Sequence, residues 1–140
     1  MIALLALLLA MARTIVVQAP HEPLRLEIAD TFEAREYGLM RRTQLAPKSG
    51  MIFVFSSDSP QRFWMKNTLI PLDMIFVRAD GTITSIASKV PASTLATPDE
   101  RVATRDGFGK YVIELAGGEA ARAGLRVGLH LELPALDPAE

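Results

Sequence analysis

Cysteine is missing from all 140 residues. Disulfides, thiol nucleophiles, iron–sulfur clusters and cysteine-based zinc sites go with it. Histidine is scarce as well. His21 and His130 lack the paired spacing of a metal site, so neither a metal nor another cofactor is expected, and His130 reads as a strand-surface residue. Excess charge is lacking too: the net charge is −1, so no global field favours nucleic acid or an anionic membrane. There is no basic stripe with interleaved aromatics, which removes nucleic acid as an expected partner. No Gly-x-Ser-x-Gly elbow and no Walker-type phosphate loop occur, and Gly107-Phe108-Gly109 alone is weak evidence for any phosphate site. No apolar run approaches the roughly 20 residues that a membrane-crossing helix needs.

What is present suits one globular domain. Hydrophobic residues make up 49% and charged residues 22%, and a chain of this length can bury a sizeable core without a covalent staple. Residues 2–12 are an unbroken apolar run, short enough for the hydrophobic core of a secretory signal. Ala10-Met11-Ala12 and Val17-Gln18-Ala19 offer two small-x-small cleavage sites, although a basic n-region is missing. The expected division is a leader over residues 1–19, a linker over 20–23, a β-rich domain over 24–134 and a tail over 135–140. The protein is expected to be exported to the periplasm or cell envelope, and to touch a membrane only through an uncleaved leader. Charge is uneven along the chain: Arg35, Arg41, Arg42, Lys48, Arg62 and Lys66 face only Glu36 and Asp58 in the same stretch. Such a stretch is either an anion-attracting side or an ordinary mixed surface.

Hydrophobic periodicity gives mostly strands. Leu24-Arg25-Leu26-Glu27-Ile28-Ala29 alternates as a half-buried strand does. Asp30 with Glu33 forms a capping-box pattern that predicts a short helix over 31–37, closed by Gly38. Met51-Ile52-Phe53-Val54-Phe55 and Met74-Ile75-Phe76-Val77 are apolar on both faces, with a turn predicted over 56–60. Asp80-Gly81 between hydrophobic runs predicts a hairpin into residues 82–86. Residues 89–109 show no period and read as a long loop. Tyr111-Val112-Ile113-Glu114-Leu115 is a strand, residues 118–123 a short Ala-rich helix, and Leu129-His130-Leu131-Glu132-Leu133 a final strand. The expected fold is mostly β: a single antiparallel sandwich or squat barrel, jelly-roll-like, with two short helices.

The densest group of unusual residues is Phe63-Trp64-Met65-Lys66-Asn67-Thr68-Leu69-Ile70-Pro71-Leu72-Asp73. Stacking from Trp64, charge from Lys66 and hydrogen bonds from Asn67 would suit a sugar ring or an anion. The same residues also suit a purely structural role, with Trp64 in the core, Asn67 in a turn and Asp73 accepting main-chain N–H groups. A carboxylate pair for glycoside hydrolysis could be assembled from Asp73 with Glu114 or Asp106, but a chain rich in acids permits many such pairs.

In one order the sequence carries Gly38-Leu39-Met40-Arg41, Gly50-Met51-Ile52-Phe53-Val54-Phe55, the segment from Phe63 to Asp73, and Tyr111-Val112-Ile113-Glu114-Leu115 with Gly117 and Gly124. This set resembles the uncharacterised bacterial and archaeal family called domain of unknown function 192, over residues 24–133. The resemblance implies a compact β-rich, jelly-roll-like fold, often behind a signal peptide, and no established activity, cofactor or partner. Many members have cysteines in the loop that begins here at Pro91; this chain has Ala92 and Ser93, which argues against thiol or metal chemistry there.

Three functions remain open at this point. The first is a non-enzymatic binding module for a small polar ligand, anionic or saccharide-like, held by Trp64, Lys66, Asn67 and Asp73. Arg41, Arg42 and the 89–109 loop would form the rim. The second is a hydrolase or transferase on an envelope component, with Asp73 as base and Lys66 and Asn67 stabilising negative charge. The third is a structural or protein-interaction domain. The oligomeric state is not legible.

Overall fold

The computed structural model describes residues 13–139. Six strands form one sheet: β1 (Thr14–Gln18), β2 (Pro23–Ala29), β3 (Ser49–Trp64), β4 (Leu72–Val77), β5 (Ile83–Val90) and β6 (Thr104–Ala116). Two short helices complete it, α1 (Phe32–Tyr37) and α2 (Glu119–Ala123), with a single 3-10 turn at Asp99–Arg101. The strand order is β1-β2-β3-β6-β4-β5. The β2–β3 pair is parallel and the other pairs are antiparallel, so the β-rich fold is a mixed sheet that does not close into a barrel.

Side-chain alternation divides the core between the two faces of this sheet. Ile52 and Val54 of β3, Ile75 and Val77 of β4, and Tyr111, Ile113 and Leu115 of β6 share the first face, covered by Ala120 and Ala123 of α2. Met51 and Phe53, Met74 and Phe76, and Val112 share the second, closed by Leu39, Met65 and Val102. Helices and loops thus cover both faces, which is why the central strands read as apolar throughout.

Several local expectations shift. Residues 56–60 are not a turn: β3 runs on through them, with a register slip against β6 between Val54 and Ser59. The exposed Ser-Asp-Ser-Pro stretch reads as turn chemistry, yet its backbone still pairs beyond the slip. Past that slip, Ser59 to Trp64 pair with Gly109 to Thr104 as a two-stranded ribbon. Phe63 anchors the ribbon to the second face through edge-on contacts with Phe53 and Phe76, at ring separations of 4.8 and 6.2 Å. The long loop is shorter than expected because β5 extends to Val90 and β6 begins at Thr104. The segment expected as a last strand makes one isolated bridge, Thr82 to His130, while Leu131 packs on the first face. The α1 cap is Thr31, whose hydroxyl accepts from the Ala34 N–H at 3.2 Å, and Asp30 instead takes Arg13. The Asp80-Gly81 hairpin forms, with Gly81 at φ +94°.

At the amino end, the expected leader falls mostly on residues outside the described ones. Its last part does not: Thr14–Gln18 are strand β1, paired along β2, and Val17 is fully buried. Pro23, expected in a linker, opens β2. The expected tail also docks, since the Tyr111 hydroxyl donates to the Leu136 carbonyl and Asp137 meets Lys110.

Candidate functional site

The group expected to form a site is distributed over different tasks. Asp73 is 1% exposed and points to the first face, where its carboxylate accepts from the N–H groups of Lys89, Gly118 and Ala120 at 2.8 to 3.1 Å. It ties the entry of α2 to the end of β5. Asn67 holds a left-handed turn, at φ +49°, that Asn tolerates better than most residues. Its carbonyl accepts the Arg41 N–H at 2.8 Å, and Arg41 is itself at φ +65°. Lys66 pairs with Asp99. Arg42 makes a two-pronged pair with Glu27 of β2, at 2.6 and 3.1 Å. Asp73 is therefore buried and taken up by main-chain N–H groups, which leaves it no free carboxylate to act as a base. The carboxylate pair of Asp73 with Glu114 is also excluded: the β4–β6 register sets Met74, not Asp73, opposite Glu114, which puts the two carboxylates on opposite faces. The other suggested partner, Asp106, is engaged by Arg62 at 2.7 Å on the ribbon.

Trp64 is the exception. It is 44% exposed and lines a cavity of about 280 Å³ between α1 and the β3–β6 ribbon. The walls carry Tyr37, Phe53, Phe55, Phe63 and Trp64, an aromatic share out of proportion to a chain with nine such residues. Gly38 belongs to this wall: at φ +50° it would seat a Cβ 3.1 Å from the Phe53 ring, so both its backbone and its bareness are required. The turn residues reach the site indirectly. The Arg41–Asn67 link fixes Met40 and Thr68 in the wall, and Ser93 reinforces it by donating to the Met65 carbonyl and to that of Thr68.

Glu114 completes the lining and is 4% exposed. Its β-sheet neighbours are Met51 and Met74. Among the described residues its carboxyl has neither a hydrogen-bond nor an ion-pair partner. Burial among apolar groups disfavours its charged form and pushes its pKa up to about 8, so it holds its proton at neutral pH. Two guanidinium groups also line the cavity. Arg62 is held by Asp106, which raises its pKa, while Arg35 donates to the Val54 carbonyl at 3.1 Å and lies 5.4 Å from the Phe55 ring centroid. In the sequence Glu114 stands out only as one of two possible partners for Asp73 in a carboxylate pair. The available signal was an acid in the middle of an otherwise apolar strand, which costs free energy unless something compensates it.

Comparison with known proteins gives kinship without chemistry. The model of the family DUF192, described as "Uncharacterized ACR", matches residues 14–133. A solved structure from Sinorhizobium meliloti 1021, described as that of a candidate transcription regulator, is similar at 35% identity with a TM-score of 0.72, over 87% of this chain and 93% of that one. A protein of unknown function from Novosphingobium aromaticivorans DSM 12444 is similar at 33% identity with a TM-score of 0.68, over 87% and 85%. No curated protein matches the chain.

Proposed function

We infer that this chain, which belongs to the DUF192 family, is a non-enzymatic binding module for a small polar ligand built on a single ring. The observation that carries this reading is the aromatic-walled cavity with an unpartnered carboxyl in its lining. The arrangement matches the general form of small-molecule sites, mostly apolar walls with a few polar groups that fix orientation. A cavity of about 280 Å³ suits one ring rather than a polymer segment. Saccharide-like ligands fit better than anionic ones. Both guanidinium groups are already engaged, and an anion beside Glu114 would enter surroundings that already disfavour that residue's own charge. Binding rather than catalysis is favoured because Glu114 has no hydrogen-bonded partner to orient it or relay its proton.

Export to the cell envelope belongs to the same proposal. The apolar run over residues 2–12 supports it, and the fold favours a cut after Ala12: cutting after Ala19 would remove β1 and its buried Val17. Mass analysis of protein made in a secreting host should find a chain starting at Arg13. Retention of the full-length chain in the cytosol would count against export.

Ligand-observed NMR and thermal shift with a panel of single-ring compounds, neutral, cationic and anionic, test the site. Hits should weaken about tenfold or more in Trp64→Ala, on the scale of a lost aromatic stacking contact. They should persist in Lys66→Ala. Hits indifferent to Trp64→Ala, or no hits of any charge, would overturn the reading.

A further inference from the structure

We propose that the ligand of this cavity carries an ammonium group, and that Glu114 is the counter-ion that receives it. This rests on the binding reading above and names the chemical class that the site selects. The argument begins with what a buried, unpartnered carboxyl lacks. An acid that is 4% exposed, flanked by Met51 and Met74 and without a hydrogen bond among the described residues, has lost most of its water and gained no protein donor in return. A cation delivered into the cavity supplies the missing partner. The walls suit the same charge, because Tyr37, Phe55, Phe63 and Trp64 line the cavity and an aromatic face carries the negative side of the ring quadrupole. Phe55 already takes one cation this way, the Arg35 guanidinium. Aromatic faces with a carboxylate among them form the usual environment for alkylammonium recognition.

Proton balance gives the proposal its signature. Glu114 is protonated at neutral pH, so the ammonium must expel that proton to solvent as the ion pair forms. The charged and titratable groups facing the cavity are Arg35, Glu36 and Tyr37 from α1 and its end, and Arg62 from β3. The arginines stay charged throughout the neutral range, leaving Glu114 as the group whose charge must change. Affinity for an ammonium ligand therefore rises with pH until Glu114 is ionised in the free protein. A neutral ring that accepts a hydrogen bond from the protonated acid would show the opposite trend.

The test uses three rings of the same size: cyclohexylammonium, cyclohexanol and cyclohexanecarboxylate. Each is titrated by calorimetry into the full chain and its Glu114→Gln and Trp64→Ala variants. Glu114→Gln imitates the protonated acid in size and charge, so it should fold, and its melting curve verifies that. Cyclohexylammonium should bind at least about tenfold tighter than cyclohexanol and tighter still than the carboxylate. Its affinity should climb more than about tenfold from about pH 6 to about pH 8, with proton release, and Glu114→Gln should abolish both effects. Equal binding of amine and alcohol, indifferent to pH and to Glu114→Gln yet lost in Trp64→Ala, would overturn the ammonium assignment while leaving the ring-binding site intact. Loss of Trp64 dependence for all three rings would overturn both.

Discussion

Asp73 and Glu114 lie one register step apart on the paired strands β4 and β6, both buried, and they have opposite fates. Asp73 points to the first face and meets three main-chain N–H groups, which replace the water it left. Glu114 points to the second face and meets methionines and aromatic rings, with nothing polar in return. Burial alone therefore does not identify a functional acid. The difference is whether the protein's own donors compensate it. Where they do, the acid is scaffold, and where they do not, the site is left for something from outside.

The comparison can be broken at either end. Asp73→Ala should have the largest effect, a loss of about 3 kcal/mol in denaturant unfolding, because it strands the N–H groups of Lys89, Gly118 and Ala120 together, the last of them buried. A loss below about 1 kcal/mol would mean that the two acids are alike. Glu114 should show itself next, through pH. Its folded pKa is raised, so the folded chain keeps a proton that the unfolded chain has released. The favourable contribution is whole below the ordinary carboxylate pKa and is lost as pH climbs through the raised value near 8. Wild type should lose about 2 to 3 kcal/mol relative to Glu114→Gln between about pH 5.5 and about pH 7.5. Flat, parallel curves would deny the elevated pKa. Trp64→Ala should cost only about 1 kcal/mol of stability while removing ligand binding, since much of the ring is exposed. Lys66→Ala sharpens the comparison with the smallest effect: under about 1 kcal/mol of stability, and no change in binding, because its partner Asp99 lies outside the cavity.

Much of the sheet was legible from the chain, and for clear reasons. The apolar runs around Ile52, Ile75 and Ile113 need burial on both faces, and Asp80-Gly81 supplies the positive φ that a hairpin requires. The parallel β2–β3 pairing was not legible, because a helix and a loop between two strands fit either direction. Nor was the continuity of β3, since Ser56, Asp58 and Pro60 have turn chemistry whether or not their backbone is paired. At the candidate site, Trp64 lines the cavity, whereas Lys66, Asn67 and Asp73 are its neighbours only in sequence. A tight turn at Asn67 separates their directions, and only the strand register shows which face each acid meets. Glu114 was visible as an acid among apolar neighbours. Which face it opened on was not, because both faces of β6 are apolar.

The most direct measurement is a carbon-detected NMR titration of the glutamate side-chain carboxyls, with Glu114→Gln used to assign the signal. The Glu114 carboxyl should titrate near pH 8, and cyclohexylammonium should drive it to the ionised form at lower pH. A Glu114 carboxyl that titrates in the ordinary carboxylate range and ignores the amine would contradict the account.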